Sequence, residues 1–203
     1  IVAYLKIKYL SENLAATIIL DKYSLDHYKR NDPLSLGIML LKAESKLLKG
    51  EYDSSIEILD AILKDTILQG IHCDILFQLA RTYFRKGSAF YPEAIKLLEN
   101  FIETNPEVLS DEKSADILNL LGIIYSDTGN FVKAVFYFEK AIKLVRDVLK
   151  RSKSLCNLVI SLSYSAQYTK AKEIFDISDG IVKQFPISSF KHRSEKTFEI
   201  ISH

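Results

Sequence analysis

Residues Ala115–Val148 read ADILNLLGIIYSDTGNFVKAVFYFEKAIKLVRDV, and the pattern within them decides the fold. Leu121, Gly122 and Tyr125 recur at helical spacing, Thr128-Gly129-Asn130 interrupts, and Phe131, Ala134, Phe138 and Ala141 resume the spacing. This predicts two amphipathic helices joined by a tight turn. A glycine in mid-helix costs about 1 kcal/mol relative to alanine, so Gly122 points to the close approach of a neighbouring helix. Ala134 and Ala141 are small, which lets the second helix lie against the first while Leu121, Tyr125 and Phe138 fill the flanks.

The same arrangement returns along the chain. A unit starting near Leu36 has Ala43 at the small position of its first helix, Gly50 and Tyr52 at the turn, and Ser55 and Leu59 in its second helix. Lys42 and Lys46 stand there at positions that are apolar elsewhere. A unit starting near Cys73 carries Leu79, Ala80, Tyr83, Gly87, Ala94, Leu98 and Pro106, with a turn at Ser88-Ala89-Phe90-Tyr91 that is longer than the others. Pro92 can open its second helix, because the missing N–H would be unpaired there. A unit starting near Ser152 has Leu158, Leu162, Tyr168, Ala171 and Phe175 in register, with Val159 and Ser178 replacing the two small residues. Starts at 36, 73, 115 and 152 are spaced 37, 42 and 37 residues. Before them, residues 1–35 read as a degenerate helical repeat, with Ser11 as an N-cap, ended by Asn31-Asp32-Pro33. After Pro186, residues 186–203 read as a C-terminal capping helix with Phe190, Phe198 and Ile201 apolar.

The order leucine-glycine, tyrosine, glycine, aromatic, alanine, phenylalanine, alanine resembles the tetratricopeptide repeat, a helix-turn-helix unit of about 34 residues. Arg146 stands where that family usually has proline, and the surplus length is assigned to the connections between units. The resemblance implies an all-α fold, a right-handed α-solenoid of antiparallel helix pairs with about four to five repeats. Each pair has an apolar face it cannot bury alone, so the units must stack. First helices then form a concave groove and second helices the outer wall.

Composition sets the compartment and limits the partners. Of the 203 residues 48% are hydrophobic, enough for a sizeable core, and 27 Lys and Arg balance 26 Asp and Glu. That balance gives no nucleic-acid footprint. Cys73 and Cys156 make no disulfide framework. No apolar run of 18 residues, signal-peptide pattern or Asn-x-Ser/Thr acceptor occurs, so the expected setting is cytoplasmic, with no membrane contact. The chain opens with Ile1 instead of methionine, and a preceding portion is expected.

The sequence holds no phosphate-cradling glycine loop; Lys86-Gly87-Ser88 lacks the earlier glycine and the strand. His27, His72, His192 and His203 are scattered, and His72-Cys73-Asp74 puts adjacent side chains on different helix faces. Neither a catalytic residue nor a metal or other cofactor is expected. Lys140, Lys143, Arg146, Lys150, Arg151 and Lys153 form a basic run, read as cations complementing a helix C-terminus, with a phosphate or acidic-partner site as the other reading.

The expected binding surface is the concave groove, for a short peptide or an extended protein segment. Its candidates are Glu44, Gln78, Arg81, Arg85, Asn119, Ser126, Asn157 and Ser163. Asparagine and glutamine present both a donor and an acceptor, so each can pair with a peptide C=O and N–H. Repeat domains that hold acidic C-termini of chaperones use a lysine-rich clamp. Here the second positions are Gly37, Asp74, Asp116 and Lys153 and the fifth are Leu40, Phe77, Asn119 and Cys156, which argues against such a clamp.

Asn119 and Asn157, the longer connections and the Lys-, Ile- and Tyr-rich composition are similar to the PlcR-type, peptide-pheromone-sensing regulators of Gram-positive bacteria. That resemblance implies a ligand-sensing and dimerising domain of a transcriptional regulator. It implies a homodimer that would touch DNA only through a helix-turn-helix domain preceding Ile1. A static adaptor within a protein assembly is the alternative.

Overall fold

The structure is a computed structural model and describes residues 20, 32–65, 69–105 and 112–183. Among these residues it contains eight α-helices and no strand: α1 (Pro33–Leu48), α2 (Tyr52–Asp65), α3 (Gln69–Lys86), α4 (Tyr91–Thr104), α5 (Glu112–Asp127), α6 (Phe131–Leu144), α7 (Val148–Tyr164) and α8 (Tyr168–Lys183). The expected Ser11 cap and the segment after Pro186 lie outside the described residues, as does Pro106. The chain divides into two compact units, Ile1–Leu109 and Ser110–His203.

Three of the four helix pairs are joined by the same turn. In each, a residue with positive φ follows the first helix: Gly50 at +80°, Gly129 at +78° and Ala166 at +60°. The next N–H then reaches back across the turn: Glu51 to Lys46 C=O at 2.9 Å, Asn130 to Tyr125 C=O at 2.8 Å and Gln167 to Leu162 C=O at 2.9 Å. The positive-φ residue's own N–H bonds Leu47, Ser126 or Ser163 C=O at 3.0–3.1 Å. These are Schellman caps, which satisfy carbonyls the ending helix would otherwise leave orphaned. The remaining pair differs as expected. Gly87 has φ +132°, a 3-10 turn over Ser88–Phe90 follows, and Pro92 lies in the first turn of α4.

The first helix of each pair begins three or four residues ahead of the repeat start seen in sequence. Thus α1, α3, α5 and α7 open at 33, 69, 112 and 148, so part of the surplus length is an added helical turn and not loop. Side-chain caps fix two of these starts. Asp32 accepts from Ser35 N–H at 2.8 Å with Pro33 next to it, and Asp147 accepts from Lys150 N–H at 2.9 Å. Both are ordinary N-cap geometries.

Within the first unit α1 packs on α2, α2 on α3 and α3 on α4, and α1 also touches α3. Its core is Leu36, Met39, Ala43, Ile58, Leu59, Ile62, Ile75 and Leu79. Lys46, at a position expected to be apolar, turns its ammonium to Glu51 at 2.7 Å. The second unit repeats the pattern, with α5 on α6, α6 on α7, α7 on α8 and α5 touching α7. Ile117, Leu121, Ile124, Phe138, Leu158 and Leu162 are its largest fully buried side chains.

Gly122 has a more specific reason than helix approach. A Cβ built there would lie 2.6 Å from Phe138 Cε1 and 2.9 Å from Cζ, so the ring of the following helix fills the missing side chain's space. In the last pair the equivalent residues are Val159 and Phe175, and Phe175 is 52% exposed. That pair has a β-branched valine where the earlier one has glycine.

Candidate functional site

First helices of adjacent pairs face one another inside each unit. In the first unit, α1 and α3 line an open groove of about 460 Å³, within the range of small-ligand sites. Leu34, Ile38 and Leu41 of α1 and Phe77 of α3 supply its apolar walls, and Glu44, Asp74, Gln78 and Arg81 its polar groups. The helical period explains the grouping: Leu34, Ile38 and Leu41 recur at spacings of four and three, as do Asp74, Gln78 and Arg81.

Arg81 Nη1 lies 3.5 Å from Glu44 Oε1, each side chain about one-third exposed. A pair of that exposure contributes little energy, but each group already has a counter-ion. Gln78 Oε1 is the buried side-chain oxygen among the described residues that has no hydrogen-bond partner. An unpaired buried acceptor costs on the order of 1–3 kcal/mol, and turning the side-chain amide into the groove would let a ligand N–H remove that cost.

Of the expected residues, Gln78 and Arg81 line this groove together with Glu44, while Arg85 is exposed and lies beyond its lining. The other four belong to the second unit, where the facing helices α5 and α7 are laced to each other. Ser154 Oγ donates to Asn119 Oδ1 at 2.9 Å, and Ser161 Oγ approaches Ser126 Oγ at 3.4 Å. Lys150 Nζ lies 2.9 Å from Asp116 Oδ2. Ser163 Oγ donates to Val159 C=O of its own helix at 2.9 Å. Asn157 is half-buried, and its C=O accepts from Ser161 Oγ at 3.0 Å. Thus Asn119 retains its NH₂ for a ligand, but its oxygen is already engaged.

Sequence reasoning did not select Leu34, Ile38, Leu41 or Asp74 as site residues. The first three read as ordinary apolar positions of an amphipathic helix, and only the packing of α3 beside α1 turns them into a wall. Among the described residues no three His, Cys, Asp or Glu side chains come together as metal ligands. Among them too, no helix is long and apolar enough to cross a membrane.

Residues 115–147 match the family model of the tetratricopeptide repeat. Solved structures share the fold. A putative kinesin light chain with nearly identical TPR-like repeats from Podosopora anserina aligns at TM-score 0.69 and 17% identity, over 96% of this chain and 94% of that one. BtubC (BKLC) from P. vanneervenii aligns at 0.64 and 21% identity, over 90% and 77%. MamA from Desulfovibrio magneticus RS-1 aligns at 0.65 and 19%, over 90% and 92%. Comparison with curated proteins gave no match. Residues 115–147 are thus a tetratricopeptide repeat, and the described residues have the all-α fold of stacked repeats of that kind.

Proposed function

We propose that this protein binds an extended protein segment or short peptide between α1 and α3, and acts as a binding module without chemistry of its own. The carrying observation is the buried, unpaired Gln78 Oε1 in an apolar groove. A peptide supplies apolar side chains for Leu34, Leu41 and Phe77, and its backbone N–H can pair with Gln78 once that side-chain amide turns into the groove. The second and fifth repeat positions that would form a cationic clamp are Gly37, Leu40, Asp74 and Phe77, and all four line this groove. An apolar segment fits such a lining, whereas an acidic C-terminus does not. The finer reading makes this domain the sensing part of a homodimeric, cytoplasmic transcriptional regulator that responds to a short signalling peptide. It rests on the PlcR-type resemblance.

Calorimetric titration with short apolar peptides tests the proposal. Gln78→Leu and Leu41→Glu should weaken binding by roughly one to two orders of magnitude, the equivalent of losing one buried partner. Glu57→Ala, on the exposed side of α2, should not. Equal binding by both groove variants would remove the site. For the regulator reading, light scattering should give a dimer mass.

A static adaptor is the second reading. It is favoured by the hydrogen bonds that join Asn119 to Ser154 and Ser126 to Ser161, which commit those expected ligand contacts to holding the second unit together.

A further inference from the structure

The outer face of α6 carries a surface that the groove does not use. Val132, Phe136, Lys140 and Lys143 recur at spacings of four, four and three, which places them within an arc of about 80° along some 16 Å of helix. The opposite side is buried through Ala134, Phe138 and Ala141. Val132 is 74% exposed and Phe136 50%. Lys140 Nζ stands over the Phe136 ring, 4.2 Å from its centroid. No carboxylate among the described residues pairs with Lys140, Lys143 or the adjoining Arg146, and none of the three has an interaction beyond that ring contact. The acidic residue of this helix, Glu139, already receives Lys170.

We infer that this stripe docks an acidic, amphipathic protein helix whose apolar side chains cover Val132 and Phe136 while its carboxylates meet Lys140 and Lys143. Charge complementarity selects the occupant. Two exposed apolar side chains at successive turns, followed by cations with no counter-ion among the described residues, match the i, i+4 anchors of a helix that carries acidic residues beside them. An anionic membrane calls for clusters of about four to eight cations, more than Lys140, Lys143 and the adjoining Arg146 supply, and Lys150 of the same run is taken by Asp116. Phosphate backbones give no role to Val132 and Phe136, and the chain's net charge of +1 provides no wider basic field. The stripe shares no residue with the α1–α3 groove, so either can fail without the other.

The probe is a fluorescent 16-residue helix, acetylated and amidated, with leucine at i and i+4 and glutamate on both flanks. Anisotropy should show saturable binding to the full chain that weakens as salt rises. Lys140→Glu with Lys143→Glu should weaken it at least tenfold, and Phe136→Ala severalfold, in protein that circular dichroism shows to be folded at the temperature of the titration. Replacing the leucines by serine should abolish binding. The inference is overturned if the charge-reversed protein binds the probe as tightly as wild type, or if wild type does not bind it. It is equally overturned if duplex DNA or phosphatidylserine vesicles compete more effectively than the peptide.

Discussion

The ring of Phe138 occupies the space of an absent side chain at Gly122, with ring atoms 2.6 to 2.9 Å from where a Cβ would be. Phe138 is 1% exposed, so the ring has nowhere to retreat. Two effects oppose each other in Gly122→Ala. Helix propensity favours alanine by about 1 kcal/mol, while overpacking costs typically about 1–3 kcal/mol. Net destabilisation is expected, and more of it for Gly122→Leu. Adding Phe138→Leu should recover part of the loss, so the pair costs less than the sum of the single changes. Thermal unfolding decides it: a melting temperature that stays level or rises in Gly122→Ala contradicts the contact.

Ala166 is the mirror case. It holds φ +60° where the equivalent turns use Gly50 and Gly129. A left-handed conformation costs a non-glycine residue roughly 1–2 kcal/mol, and glycine's extra unfolded-state freedom returns roughly 0.5–1 of that. Ala166→Gly should therefore stabilise by up to about 1.5 kcal/mol. Urea midpoints of the two proteins provide the comparison, and a lower midpoint for glycine would show the turn to be unstrained.

Asn119 and Ser154 should behave as one coupled pair. Ser154 is 3% exposed and gives its hydroxyl to Asn119 Oδ1. Asn119→Ala is expected to cost about 1 kcal/mol of stability before any ligand is added. In a double-mutant cycle, Ser154→Ala should add little once Asn119 is gone. Strictly additive losses would mean the two side chains do not interact.

Tyr83 gives the first unit an alkaline limit. Burial, and then the carboxylates of Asp60 and Glu93, raise its phenol above the ordinary tyrosine value. The protonated form is thus favoured in the folded state. The sign follows: its contribution is complete below the unfolded value of about 10 and is lost as pH rises through the higher folded value. Stability should fall above about pH 10, and Tyr83→Phe should flatten that part of the curve. Equal slopes for both proteins would assign the fall to other groups.

The α1 cap offers a cleaner local test. Asp32→Ala removes the acceptor for Ser35 N–H and should cost about 1 kcal/mol, whereas Asp32→Asn keeps an acceptor and should cost a few tenths. If both variants unfold at the same denaturant concentration, the cap contributes only charge.

The helix pairs of residues 36–183 were legible in the sequence because amphipathic periodicity and turn chemistry are local. Gly50, Gly129 and Pro92 each mark a boundary through their own backbone preference, and the residues around them confirm it three or four positions away. Small residues at 43, 80 and 122 likewise announced a crowded contact. What fills that contact was not local: Gly122 implies nearness, but only packing shows that Phe138 takes the space. Ala166 hides a left-handed turn, because alanine carries no signal for a conformation that the two flanking helices impose. The groove depends most on tertiary structure. Gln78 and Arg81 could be named from a helical face, yet Leu34, Ile38 and Leu41 become a wall only when α3 lies beside α1. Asn119 looks free on a helical wheel and is committed once Ser154 arrives from 35 residues away. Periodicity tells each residue which way it faces, and the neighbour it meets there is chosen by the packing of separate segments.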